Sequence, residues 1–104
     1  MRRVILESPF AGATRTNLNY ARLALRDSLD RGEAPFASHL IYPLALEESI
    51  LAERDKGIAA GFVWGEVAEA VVFYMDLGFS PGMRAAHVHY SARGILIENR
   101  SILP

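Results

Sequence analysis

The run Ala70-Val71-Val72-Phe73-Tyr74, opening after the charged Glu69, limits what this chain can become more than any other feature. A strand with one solvated face alternates apolar and polar residues. A strand that is apolar at every position is buried on both faces, the pattern of a central strand in a parallel sheet. The run is far too short to cross a bilayer, so the rest of the chain must cover it. Parallel neighbours are joined by crossovers, usually helices, and the flanking sequence supplies them.

Val4-Ile5-Leu6 reads as a buried first strand that ends at Glu7-Ser8-Pro9, with a small-residue loop over 10–14. Thr16 or Asn17 can cap the helix that follows, in which Leu18, Ala21, Leu25 and Leu29 recur at helical spacing. Arg31-Gly32 stops that helix, and residues 35–41 resemble a second strand that breaks at Tyr42-Pro43. Residues 46–68 are helical in pattern, as one helix or as two separated at Gly57, Gly61 or Gly65. After the central strand, Ser80-Pro81-Gly82 opens a helix running to about Ala92, and 95–97 form a last strand. The alternation predicts an α/β domain, a small flavodoxin-like three-layer fold with a parallel sheet of about four strands in order 2-1-3-4. With 104 residues, the whole chain 1–104 is read as a single domain.

Composition narrows the function classes. A net charge of −1 gives no basic footprint for nucleic acid, and no apolar run is long enough for a membrane span. The absence of cysteine removes disulfides, thiolate chemistry and Cys-ligated zinc. Met1-Arg2-Arg3 runs straight into a strand, without the pattern of a signal peptide, so the expected location is cytoplasmic. His87 and His89 stand two apart on a helix and do not share a face, so neither a metal nor a cofactor is expected.

In sheets of this order, ligands bind beyond the carboxyl ends of the strands, where the strand order reverses. Ser80 suits an N-cap, Pro81 the first helical position, and Gly82 a close backbone approach. The free amides and dipole of that turn favour an anion, and Arg84, one turn in, adds a full charge. The alternative is an ordinary helix start with a solvated arginine. Glu7 and Asp76 end the first and third strands, so either carboxylate can grip ribose hydroxyls or act as a base. Equally, Glu7 can cap the first helix or pair with Arg15, and Asp76 can hydrogen-bond its own turn. His39 and Tyr42 can stack on a base or hydrogen-bond it, or fill structural roles. Asn17, Asn19, Tyr20 and Arg22 gather at the start of the first helix, as ligand contacts or as caps and surface groups. Phe10 and Met83 flank the same loops and complete the candidate ligand-binding set of Phe10, Asn17, Tyr20, His39, Tyr42, Ser80, Gly82, Met83 and Arg84.

Glu53-Arg54-Asp55, Ala70-Val71-Val72 and Gly78-Phe79-Ser80-Pro81-Gly82 resemble the nucleoside 2-deoxyribosyltransferase-like superfamily. The stretches ESPFAG, RGEAPFASHL, ERDKGIAAGFVWGE and DLGFSPGMRAA are similar to a phage and bacterial branch of that group, over nearly the whole chain. The resemblance implies a flavodoxin-like sheet, a homodimer and a small nucleotide-like ligand, with the 5′-phosphate at the turn matching Ser80-Pro81-Gly82. In catalytic members, a glutamate two residues after the matching glycine attacks the sugar. Here that position is Arg84, whose guanidinium stays protonated and cannot be a nucleophile. The resemblance therefore implies nucleotide binding first. N-glycosidase or deoxyribosyltransferase chemistry then requires a relocated carboxylate at Glu7, Asp76 or Glu98.

Overall fold

The computed structural model describes residues 1–10 and 14–104. The loop expected over 10–14 therefore lies largely outside the described residues. Strands β1 (Arg2–Glu7), β2 (Glu33–Phe36), β3 (Ala70–Tyr74) and β4 (Ile97–Arg100) form one sheet in order β2-β1-β3-β4. Every pairing is parallel, with Val4 opposite Pro35 and Ala70, and Val72 opposite Glu98. Helices α1 (Arg15–Asp30), α2 (Ser38–Ile41), α3 (Leu51–Gly65) and α4 (Pro81–Ala92) make the connections, with a short 3-10 turn at Tyr42–Leu44. This is the α/β sheet and strand order that the hydrophobic pattern predicts.

All of β3 is buried, and alternate side chains serve two separate cores. Val4, Leu6, Ala70, Val72 and Tyr74 pack against Tyr20 and Ala24 of α1. Ile5, Val71 and Phe73 pack against Met83, Ala86 and Tyr90 of α4, with Phe62 of α3 beside them. Helix α1, with Leu40 of α2, thus covers one face, and α3 and α4 cover the other.

Several boundaries differ from the sequence reading. Thr14, in extended conformation, is the N-cap of α1, its hydroxyl accepting the Asn17 amide at 3.1 Å. Neither Thr16 nor Asn17 caps. The buried stripe of α1 is Tyr20, Ala21, Ala24 and Ser28, while Leu18 and Leu29 are exposed. The second strand ends at Phe36, and Ser38–Ile41 turn into α2 instead of extending it. Helix α3 is a single element despite its three glycines. A Cβ on Gly61 would lie 2.6 Å from Ser38 Oγ, and one on Gly65 would lie 2.5 Å from the Tyr90 ring. Each glycine costs a helix about 1 kcal/mol in propensity, here offset by the close seating of α2 and α4. The last strand begins at Ile97, two residues later than expected, and so includes charged residues.

Those charges form a buried network on the α1 face. Arg100 and Glu33, 6% and 5% exposed, make paired contacts of 2.7 Å across two intervening strands. Ser28 donates to Glu33, Arg100 to Tyr74, and Tyr74 to Asp27. Arg2 and Glu98 close the network at 2.8 Å. The hydrogen bond from Arg100, helped by those from Arg2 and Ser28 against the cost of burial, pulls the Glu33 carboxyl down to about 2.

Candidate functional site

The carboxyl ends of β1 and β3 lie side by side where the strand order reverses, the position at which such sheets bind ligands. Glu7 is the last residue of β1, opposite Phe73, on the face covered by α3 and α4. Part of its side chain reaches the surface, yet apolar surroundings desolvate the carboxyl and push it up to about 8. Among the described residues it makes no hydrogen bond and no ion pair, and so neither caps α1 nor pairs with Arg15. Its charge also adds to burial in raising the Tyr90 phenol.

Ser8 turns the other way. Its Oγ lies 2.8 Å from His39 Nε2, and the Phe10 ring meets His39 edge-on at 5.9 Å. His39 sits on α2, not on a strand as the sequence suggests. Burial pushes its imidazole down to about 4, so it is neutral at physiological pH. Its Nδ1 is buried with no hydrogen-bond partner among the described residues. A buried polar group left unpaired costs about 1–3 kcal/mol, so its retention asks for a reason.

Asp76, the other candidate carboxylate, is fully engaged. It accepts from the Tyr20 hydroxyl at 2.6 Å, from Ile102 N at 2.9 Å and from Leu103 N at 3.1 Å. The Tyr20 hydroxyl in turn accepts the Asp76 amide at 2.9 Å. The Tyr20 bond and the Ile102 amide hold the Asp76 carboxyl below its ordinary value. This arrangement ties the C-terminal segment to the sheet edge, and both groups spend their hydrogen bonds on it. Glu98 is likewise bound by Arg2 and Arg100.

Ser80 caps α4 as the sequence predicts, accepting Met83 N at 3.2 Å, with Pro81 at the first helical position. Pro81 has no amide hydrogen and the Arg84 amide goes to Ser80 O, so Gly82 carries the one early amide that Ser80 does not engage. Met83 is a core residue, 1% exposed, and this corrects its assignment to the ligand surface. Helical spacing turns it under the cap, toward Val71 and Phe73. Arg84 is exposed and makes no ion pair among the described residues; it lines a shallow groove with Phe79, His87 and Val88. On the opposite flank of α4, His89 stacks on Phe62 of α3 at 3.7 Å.

The remaining candidates scatter. Tyr42 packs edge-on to Phe36 and against α3 at Gly57, away from His39. Asn17 lies in the first turn of α1. The structure therefore brings Glu7, Phe10, His39 and the Ser80 turn to one edge of the sheet. Ser8 is an addition the sequence did not disclose, because a serine before a proline reads as an ordinary turn. Among the described residues, no group of three His, Asp or Glu side chains is placed to hold a metal, and no helix is long and apolar enough to cross a membrane.

The chain belongs to a family known by its sequence pattern, a domain of unknown function (DUF7768), whose model matches residues 2–100. Neither the curated proteins nor the solved structures contain a match.

Proposed function

We propose that this domain binds a nucleotide or a phosphorylated ribosyl derivative at the carboxyl edge of its sheet, with the phosphate at the Ser80-Pro81-Gly82 turn. The observation that carries the reading is Glu7: a desolvated carboxyl, without a partner among the described residues, at the point where the strand order reverses. A protonated carboxyl can both donate to and accept from sugar hydroxyls. The helix dipole, the Gly82 amide and the unpaired Arg84 supply the anionic end. The resemblance to nucleoside 2-deoxyribosyltransferase-like proteins points the same way. Such a ligand fits a cytoplasmic protein, and a homodimer would cover the exposed Trp64 and Val67.

Calorimetry with nucleoside 5′-monophosphates and the matching nucleosides tests this reading. Binding of the monophosphates is expected, with Arg84→Ala weakening them more than the nucleosides. No binding by either class, or equal loss for both, counts against it.

A second reading, glycosidic cleavage, is favoured by one observation: of Glu7, Asp76 and Glu98, Glu7 alone is unengaged. Being protonated at neutral pH, it suits donation of a proton to a departing base better than attack on the sugar. Release of free base from a monophosphate, abolished in Glu7→Gln, would establish that chemistry.

A further inference from the structure

Phosphate binding as described leaves His39 unused, yet three contacts fix it in place. Ser8 Oγ holds Nε2 at 2.8 Å, and Phe10 stands edge-on to the ring. The third contact is indirect. Helix α2 has only four residues and no side-chain cap, and it is held by its seat on α3, where Gly61 leaves room for Ser38 and nothing larger than hydrogen.

The hydrogen bond to Ser8 also bears on where the ring proton sits. Ser8 is 3% exposed, and its hydroxyl has His39 Nε2 as its partner among the described residues. The hydroxyl and Nε2 share one hydrogen: with Ser8 donating, the proton of the neutral ring sits on Nδ1, and with Nε2 donating, Nδ1 is a bare acceptor. Either way, Nδ1 is the atom buried without a partner. Folded proteins leave few buried polar atoms unmet, and one whose position is over-determined by its neighbours is prepared for an incoming group.

We infer that His39 is a specificity-determining residue, whose Nδ1–H donates to an uncharged acceptor on the base of the bound nucleotide, a carbonyl oxygen or a ring nitrogen. This rests on the nucleotide reading. The base, and not the phosphate, is the matching part because the imidazole carries no charge to attract an anion. The flanking Phe10 ring offers an apolar aromatic edge suited to a flat heterocycle. Ser8 acts as the positioning residue that sets the tautomer.

Nitrogen-15 NMR of the imidazole and calorimetry together test the assignment. The probes are the four common nucleoside 5′-monophosphates and inorganic phosphate, on wild type, His39→Phe and His39→Asn. The expected spectrum has the proton on Nδ1. The best-bound nucleotide is expected to weaken about tenfold in His39→Phe, the loss of one well-placed hydrogen bond. His39→Asn, whose amide places a donor near the former Nδ1, is expected to restore most of that affinity, and inorganic phosphate should bind all three proteins alike. A proton on Nε2 overturns the inference, and so does a parallel loss of phosphate binding. Undiminished nucleotide binding in His39→Phe overturns it while leaving the nucleotide reading intact. A wild type that binds none of the nucleotides overturns both. Should His39→Phe fail to fold, the tautomer and His39→Asn still decide.

Discussion

Glu7 and Asp76 lie at the ends of neighbouring strands, yet they live in opposite chemical circumstances. Asp76 faces the α1 side, where it is filled by a phenol and two main-chain amides and held below its ordinary value. Glu7 faces the α3/α4 side, is pushed up to about 8 by desolvation, and makes no polar contact among the described residues. The contrast is one of sites and not of whole faces, since in the α1-face network the Arg100 Nε is itself buried without a partner. On the α1 face, Glu33, Arg100, Tyr74 and Asp27 answer one another. A fully satisfied polar group holds a fold together. One kept unsatisfied at the carboxyl edge of the sheet costs stability, and under the proposed reading a ligand supplies its missing partner.

The largest test of this contrast is on the Glu33–Arg100 network. Arg100→Leu removes the two-pronged partner of Glu33 and leaves that carboxylate to Arg2 and Ser28, and should destabilise the domain by about 2–3 kcal/mol in urea unfolding. A loss under 1 kcal/mol would mean that the network contributes little and that the two kinds of site differ less than their geometry suggests.

The next test reads pH. Glu7 has a folded value near 8, above its ordinary 4.5, so the folded state holds a proton that the unfolded state releases between those limits. Stability from this group therefore falls as pH rises from about 4.5 to about 8. Glu33, held near 2, does the reverse: its contribution is complete above about 4.5 and disappears as pH falls toward 2. His39, held near 4, adds stability that is lost as pH falls from 6.5, so it offsets Glu7 over that range and the most stable window runs from about 4.5 to about 6.5. Glu7→Gln should flatten the alkaline limb and gain about 1–2 kcal/mol above pH 8. An unchanged limb would show that Glu7 is solvated after all.

Smaller still is Tyr20→Phe, which removes one hydroxyl from the Asp76 clamp and should cost about 1 kcal/mol. Its amide exchange is the sharper readout: Ile102 and Leu103 should lose protection before the core does. Uniform loss across the domain would make the clamp part of the global fold.

How much of this was legible in the sequence follows from the range of the forces involved. The apolar run of β3 and the β/α alternation are local patterns, and they carried the sheet order. Residues 38–41 carry strand-like side chains, but docking of Ser38 against Gly61, 23 residues further along the chain, makes them helical where propensity would not. The end of β4 was hidden for a related reason: Arg100 and Glu98 look like loop residues until Glu33, on the far strand, pairs the first and Arg2 the second. Glu7 was readable because its place follows from where an apolar strand stops. Ser8 and His39 were not readable as a pair, and the true partners of Asp76 lie in the C-terminal segment, 26 and 27 residues on.

The Asp76 clamp has one further consequence. It grips peptide groups, and a peptide group is the same whatever side chain is attached to it. The path of the chain past the sheet edge is thus specified by Asp76 and Tyr20; Ile102 also packs against the core of the α1 face, while the clamp leaves the identity of the exposed residue 103 largely open. Proline is the exception, since it offers no hydrogen to hold. Position 103 can therefore change without rerouting the chain, in the way a handrail guides any traveller who has a hand.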